Sequence, residues 1–226
     1  MTNLVEIRLS APKVYAWAGN LGIAKADIGY IVHSALCAAY GDGRLKPFMV
    51  MGVSKDTIRV LGYSPSSADD LERHRQETAH PVESAMVISA VSKMMPETWR
   101  NDATYSFEVR IAPTRRDNVS RKHKDAYMFG SHEKSRAEVY SDWLISRIGN
   151  AAEVENLSMK SFNLTKISRR GNNGGGKRTM GNQSVVPDVV FTGRIRVKNP
   201  TQFSELISNG IGRNRAFGFG ALLLKP

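Results

Sequence analysis

Cysteine is all but missing. Cys37 stands alone among 226 residues, which excludes an internal disulfide and any zinc site built from several cysteines. Long apolar runs are missing too, and none approaches the roughly 20 residues that a membrane span needs. The opening MTNLVEIRLS alternates apolar and polar residues as a strand does, so it does not read as a signal peptide. His74, His80, His123 and His132 lie in polar segments and read as surface residues. Neither a metal, a small-molecule cofactor nor a membrane partner is expected, and the cytoplasm is the expected location.

Acidic charge is scarce in one part of the chain only. The formal net charge is +11. Residues 1–98 carry ten basic and ten acidic side chains, leaving 22 Lys and Arg against 11 Asp and Glu in residues 99–226. Excess confined to one half points to a surface that faces a polyanion, and nucleic acid leads.

The elements present repeat. Leu4–Ser10 alternates as a strand, and a helix is predicted over Ala26–Tyr40, with Ile28, Ile31, Val32, Ala35, Leu36 and Ala39 on one face. A strand pair follows at Pro47–Val53 and Thr57–Tyr63, then a polar helix over Ala68–Glu77 and a strand over Ala85–Val91. The second half runs through a strand at Thr104–Ile111 and a helix opened by the capping-box pair Ser135 and Glu138. Strand-rich segments Glu153–Lys166 and Val185–Val197, a helix capped by Asn199-Pro200, and a strand at Ala221–Leu224 complete it. The reading is an α+β protein of two tandem ferredoxin-like (βαββαβ, RRM-like) domains. Residues 1–98 hold the first and residues 99–226 the second, with the junction near 94–103.

Two glycine-rich stretches look like nucleotide loops but depart from them. In Gly171-Asn-Asn-Gly-Gly-Gly-Lys177-Arg178 an arginine stands where a phosphate loop needs the hydroxyl that holds magnesium. GIGRNRAFGFG at 210–220 follows a helix rather than a strand, unlike a dinucleotide fingerprint. It reads better as a backbone nest, with Gly210, Gly212, Gly218 and Gly220 letting phosphates approach and Arg213 and Arg215 adding charge. Lys166, Arg169, Arg170, Lys177 and Arg178 form an acid-free basic stretch suited to an RNA backbone, and Arg115 and Arg116 are further candidates. His33 lies off the apolar stripe of its helix, on a face with Tyr30 and Cys37. Alone, such a histidine is more often a half-exposed boundary residue.

Taken together, these motifs resemble a known family. LISNGIGRNRAFGFGALLLKP at 206–226, with its G-x-G-x5-G-x-G pattern, is similar to the glycine-rich loop of the CRISPR repeat-associated RNA-binding superfamily. DWLISRIGNAAEVENL at 142–157, VVFTGRIRVKNPTQF at 189–203 and Tyr30-Ile-Val-His33 resemble the repeat-processing endoribonuclease of type I-E systems. That is the e-type branch of the Cas-six family, a subunit of the Cascade complex. The resemblance implies metal-independent cutting of precursor CRISPR RNA at a repeat hairpin, by 2′-OH attack that leaves a 2′,3′-cyclic phosphate and a 5′-OH. It also implies proton transfer by His33, positioning or stabilisation by Tyr30, and repeat or guide RNA and other Cascade subunits as partners. The alternative keeps the fold as a non-cutting RNA-binding subunit.

Overall fold

The computed structural model describes residues 2–130, 133–170 and 180–225. The first half runs β1 (Asn3–Ser10), α1 (Ala11–Asn20), α2 (Ile28–Tyr40), β2 (Phe48–Val53), β3 (Thr57–Ser64), α3 (Ala68–Thr78), α4 (Pro81–Ser84) and β4 (Val87–Met94). The second runs β5 (Thr104–Ile111), β6 (Thr114–Arg116), β7 (His123–Asp125), α5 (Arg136–Ile148), β8 (Ala152–Arg170), β9 (Met180–Val197), α6 (Pro200–Asn209) and β10 (Leu222–Lys225). The two four-stranded sheets have the orders β2-β3-β1-β4 and β10-β5-β9-β8. Both set the half's first strand between its third and fourth. The fold is therefore the expected tandem of ferredoxin-like βαββαβ halves.

Two compact units emerge, each assembled from separate stretches of chain. One comprises Met1–Glu97, Lys166–Ser184 and Ala216–Gly218; the other comprises Thr98–Thr165, Val185–Arg215 and Phe219–Pro226. The outer ends of β8 and β9 and three residues of the glycine-rich loop thus belong with the first unit.

Alternation builds the first sheet. Val5, Ile7 and Leu9 of β1 are fully buried, and β1 pairs antiparallel with β3, setting Ile7 opposite Val60. Ile31, Val32, Ala35, Leu36 and Ala39 of α2 join those residues in one core. The helix begins two residues later than predicted because Asp27 is its cap: Oδ1 accepts the Tyr30 N–H at 3.0 Å. Gly41, with φ of 88°, ends it. The predicted capping box forms at Ser135/Glu138, and a second, not predicted, forms at Ser67/Asp70.

Four features differ from the sequence expectation. Helix α1 occupies a stretch for which no element is predicted; Pro12 stands in its first turn and Val14, Trp17 and Ala18 are buried. Pro81 opens the short α4, which delays β4 to Val87. The β6–β7 pair sets Arg115 opposite Lys124 and Arg116 opposite His123. Strands β8 and β9 extend beyond Lys166 and Val185, to Arg170 and back to Met180. Their extension has a physical cause, because Ile167 and Ser168 are buried and the Ser168 N–H donates to Asp27 Oδ2 at 2.8 Å.

Candidate active site

Helix geometry brings the predicted pair together. Tyr30 and His33 stand three residues apart on the half-buried face of α2, beside the fully packed stripe. A third ring completes the group. Phe217, from the glycine-rich loop, stacks on Tyr30 with centroids 6.1 Å apart and planes 19° apart. It also meets His33 edge-on, at 5.5 Å and 81°. Such contacts contribute about 0.5–1.5 kcal/mol each beyond burial. They restrict the imidazole to one edge-on setting.

Gly29 makes that approach possible. A Cβ at this helical position would lie 2.2 Å from the Phe217 carbonyl oxygen, so only a bare backbone lets the loop sit against the helix. Asp27 ties down the same end of α2. One carboxylate oxygen caps the helix while the other holds β8 through Ser168. The backbones of Lys166, Arg169 and Arg170 are thereby anchored beside the first turn of α2, and Lys166 is exposed. Lys177 and Arg178 lie outside the described residues.

Electrostatics favour a neutral imidazole. Burial lowers the His33 pKa from its ordinary value, the Asp42 carboxylate pushes it back up, and the Lys46 ammonium adds to the lowering. The net direction is down. At neutral pH the ring holds a free lone pair and can accept a proton. Cys37 lies one turn further along, its Sγ 3.5 Å from His33 Nδ1 and 3.5 Å from Asp42 Oδ1. Burial and the Asp42 carboxylate push its thiol up to about 11, so it is not a ready nucleophile. His33, Cys37 and Asp42 each offer one ligand atom, all within 4.8 Å of one another. Sequence reasoning missed this group because Asp42 is brought back by the bend at Gly41; the His33–Cys37 spacing was the visible half of it.

The glycine-rich loop corrects part of the nest reading. Gly210, Gly212, Gly218 and Gly220 all have positive φ, as does Asn214. The Gly210 N–H, however, donates to the Leu206 carbonyl, and the Gly220 N–H to the Arg110 carbonyl. These two close the fold rather than face a ligand, Gly218 is buried as well, and Gly212 is half-buried against Trp143. A Cβ on Gly220 would meet the Ile211 carbonyl oxygen at 2.3 Å. Arg215 is half-buried and donates to the Asn209 carbonyl at 2.5 Å, closing the end of α6, while Arg213 is exposed.

Arg115 and Arg116 are exposed on β6. Arg115 borders a cleft of about 470 Å³, also lined by Lys134, Trp143 and Arg147. Sequence reasoning named neither Lys134 nor Arg147. No long-range pattern marked them. Among the described residues no helix is long and apolar enough to cross a membrane.

Comparison with known proteins adds an independent line. The sequence matches the family described as "CRISPR associated protein" over residues 4–226. No curated protein sequence matches it. Among solved structures, CRISPR endoribonuclease Cse3 bound to 19-nucleotide RNA is similar at a TM-score of 0.69 and 15% identity, covering 99% of this chain and 100% of that one. Thermus thermophilus Cse3 bound to an RNA representing a pre-cleavage complex gives 0.69 and 14%, covering 100% and 99%. Cas6e from Escherichia coli K-12 gives 0.60 and 21%, covering 99% of each chain. At these identities the likeness is one of fold.

Proposed function

The chain belongs to the CRISPR-associated protein family, and from that premise we propose that it is a metal-independent endoribonuclease that cuts precursor CRISPR RNA at a repeat hairpin. The reading includes continued binding of the product as a subunit of a Cascade complex. The observation that supports it is the Tyr30–Phe217–His33 group, in which a neutral imidazole meets the edge of the Phe217 ring, itself stacked on Tyr30. A subunit that only grips RNA has no need of such a brace.

The chemistry follows from the substrate. A ribose 2′-OH attacks the adjacent phosphorus, the P–O5′ bond breaks, and the products are a 2′,3′-cyclic phosphate and a 5′-OH. His33 in its neutral form fits the base that takes the 2′-OH proton, a role worth roughly 10²–10⁴ in rate. Tyr30 positions the scissile nucleotide. Lys166, Arg169, Arg170, Lys177 and Arg178 track the backbone, and Arg115, Arg116, Arg213 and Arg215 supply further phosphate contacts. Gly212, half-buried beside the exposed Arg213, offers bare backbone for a phosphate.

Single-turnover cleavage of the cognate repeat RNA in chelator, beside equilibrium binding, tests the reading. His33→Ala should lose roughly 10²–10⁴-fold in rate with little change in affinity. Cleavage by that variant at the wild-type rate removes His33 from the mechanism. Strict dependence on magnesium removes the mechanism itself.

A further inference from the structure

The cluster one turn beyond His33 is built for more than a hydrogen bond. His33 and Cys37 share a face of α2 at a spacing of four residues, and the bend at Gly41 returns Asp42 to them. Around a zinc-sized cation, thiolate sulfur stands at about 2.3 Å, imidazole nitrogen at about 2.0–2.1 Å and carboxylate oxygen at about 2.0–2.2 Å. Tetrahedral angles then separate those ligand atoms from one another by about 3.4–3.6 Å. Sγ stands 3.5 Å from both Nδ1 and Oδ1, and the three ligand atoms lie within 4.8 Å of one another, so the exposed Asp42 carboxylate has only a short distance to close around a cation. A small cavity of about 10 Å³, bordered by His33, Cys37, Gly41, Gly43 and Lys46, adjoins two of the three. That is about the room one water occupies.

We infer that His33, Cys37 and Asp42 form a binding site for a thiophilic divalent cation of the zinc class, and that filling it switches the nuclease off. The second half rests on the proposed role of His33; the first does not. A thiolate ligand selects zinc-like cations over magnesium, which prefers oxygen. Three protein ligands leave a fourth position for water. On binding, the cation displaces the thiol proton to solvent and forms a bond to sulfur. The same event engages the imidazole lone pair that would accept the 2′-OH proton. Occupied and catalytic states are therefore mutually exclusive.

Cobalt(II) serves as the probe. The full chain, stripped with chelator and free of RNA, should bind one cobalt ion with a thiolate-to-cobalt absorption band that zinc displaces. Cys37→Ser should abolish the band and Asp42→Asn should weaken binding. Absence of the band, or its survival in Cys37→Ser, overturns the site. In cleavage assays, one equivalent of zinc should slow the wild type by the roughly 10²–10⁴-fold that a general acid–base group supplies, and chelator should restore it. The ratio of rates without and with zinc should fall to about one in Cys37→Ser. Equal inhibition of that variant, or undiminished cleavage by the zinc-loaded wild type, overturns the switch. Wild-type cleavage by His33→Ala would instead defeat the proposed mechanism and leave the cobalt result standing.

Discussion

Replacing Gly29 with alanine sets two effects of opposite sign against each other. Within a helix, glycine is less favourable than alanine by about 0.8–1 kcal/mol, so propensity alone makes Gly29→Ala stabilising. Packing argues the reverse. The new Cβ would lie 2.2 Å from the Phe217 carbonyl oxygen and 2.9 Å from its carbon, where real contacts stay beyond 3.0 Å. The loop must therefore retreat by nearly an ångström. Overpacking of this kind costs about 1–3 kcal/mol, so the net expectation is a loss of up to about 2 kcal/mol. Catalysis should suffer more than stability. Phe217 carries the ring that stacks on Tyr30 and meets His33, and a misplacement of about 1 Å can cost about 10²-fold in rate. Urea unfolding and single-turnover cleavage, measured on the same preparation, separate the two. A variant as stable as the wild type that cleaves at the wild-type rate would refute the idea that the loop braces the imidazole.

Other expectations follow from the same physics. Asp27→Ala removes the α2 cap, at about 0.5–2 kcal/mol, and leaves the buried Ser168 N–H without its acceptor, at about 1–3 kcal/mol; an unchanged urea midpoint would contradict both roles. Reversing charge at Lys166, Arg169, Arg170, Lys177 and Arg178 should weaken RNA binding and flatten its salt dependence, by about 0.7–0.9 log units for each phosphate no longer neutralised; an unaltered slope would make the stretch a bystander. Burial raises the Glu108 pKa, but bonds from Lys225 and Lys160 outweigh it and hold the carboxyl below its ordinary value. A lowered folded-state pKa contributes stability above the unfolded value and loses it as pH falls through the folded one. Urea midpoints should therefore drop below about pH 4.3, less steeply in Glu108→Gln, and identical profiles would remove Glu108 as a contributor.

Local signals were legible and distant ones were not. The apolar stripe of α2, the capping box at Ser135 and the Asn199-Pro200 start each lie within a few residues, and each forms. The order of elements therefore carried the fold. Helix α1 escaped because its buried face is short, with Val14, Trp17 and Ala18 on it behind Pro12. The ends of β8 and β9 escaped because Ile167 and Ser168 are buried through a bond to Asp27, 141 residues away in sequence. In the site, the shared face of Tyr30 and His33 was readable from helical spacing, and their roles only from the family resemblance. Phe217 was not, because only tertiary contact brings it there, and Asp42 was hidden behind a glycine bend.

Phe217 follows His33 by 184 residues. On a ribosome adding about 5–20 residues per second, that distance is about 10–40 s of synthesis. A nascent chain that has made β1 to β4 still lacks the Phe217 ring that meets His33 edge-on, and the end of β8 that belongs to the same unit. The group around His33 is therefore complete only once the glycine-rich loop has been made, close to the end of synthesis.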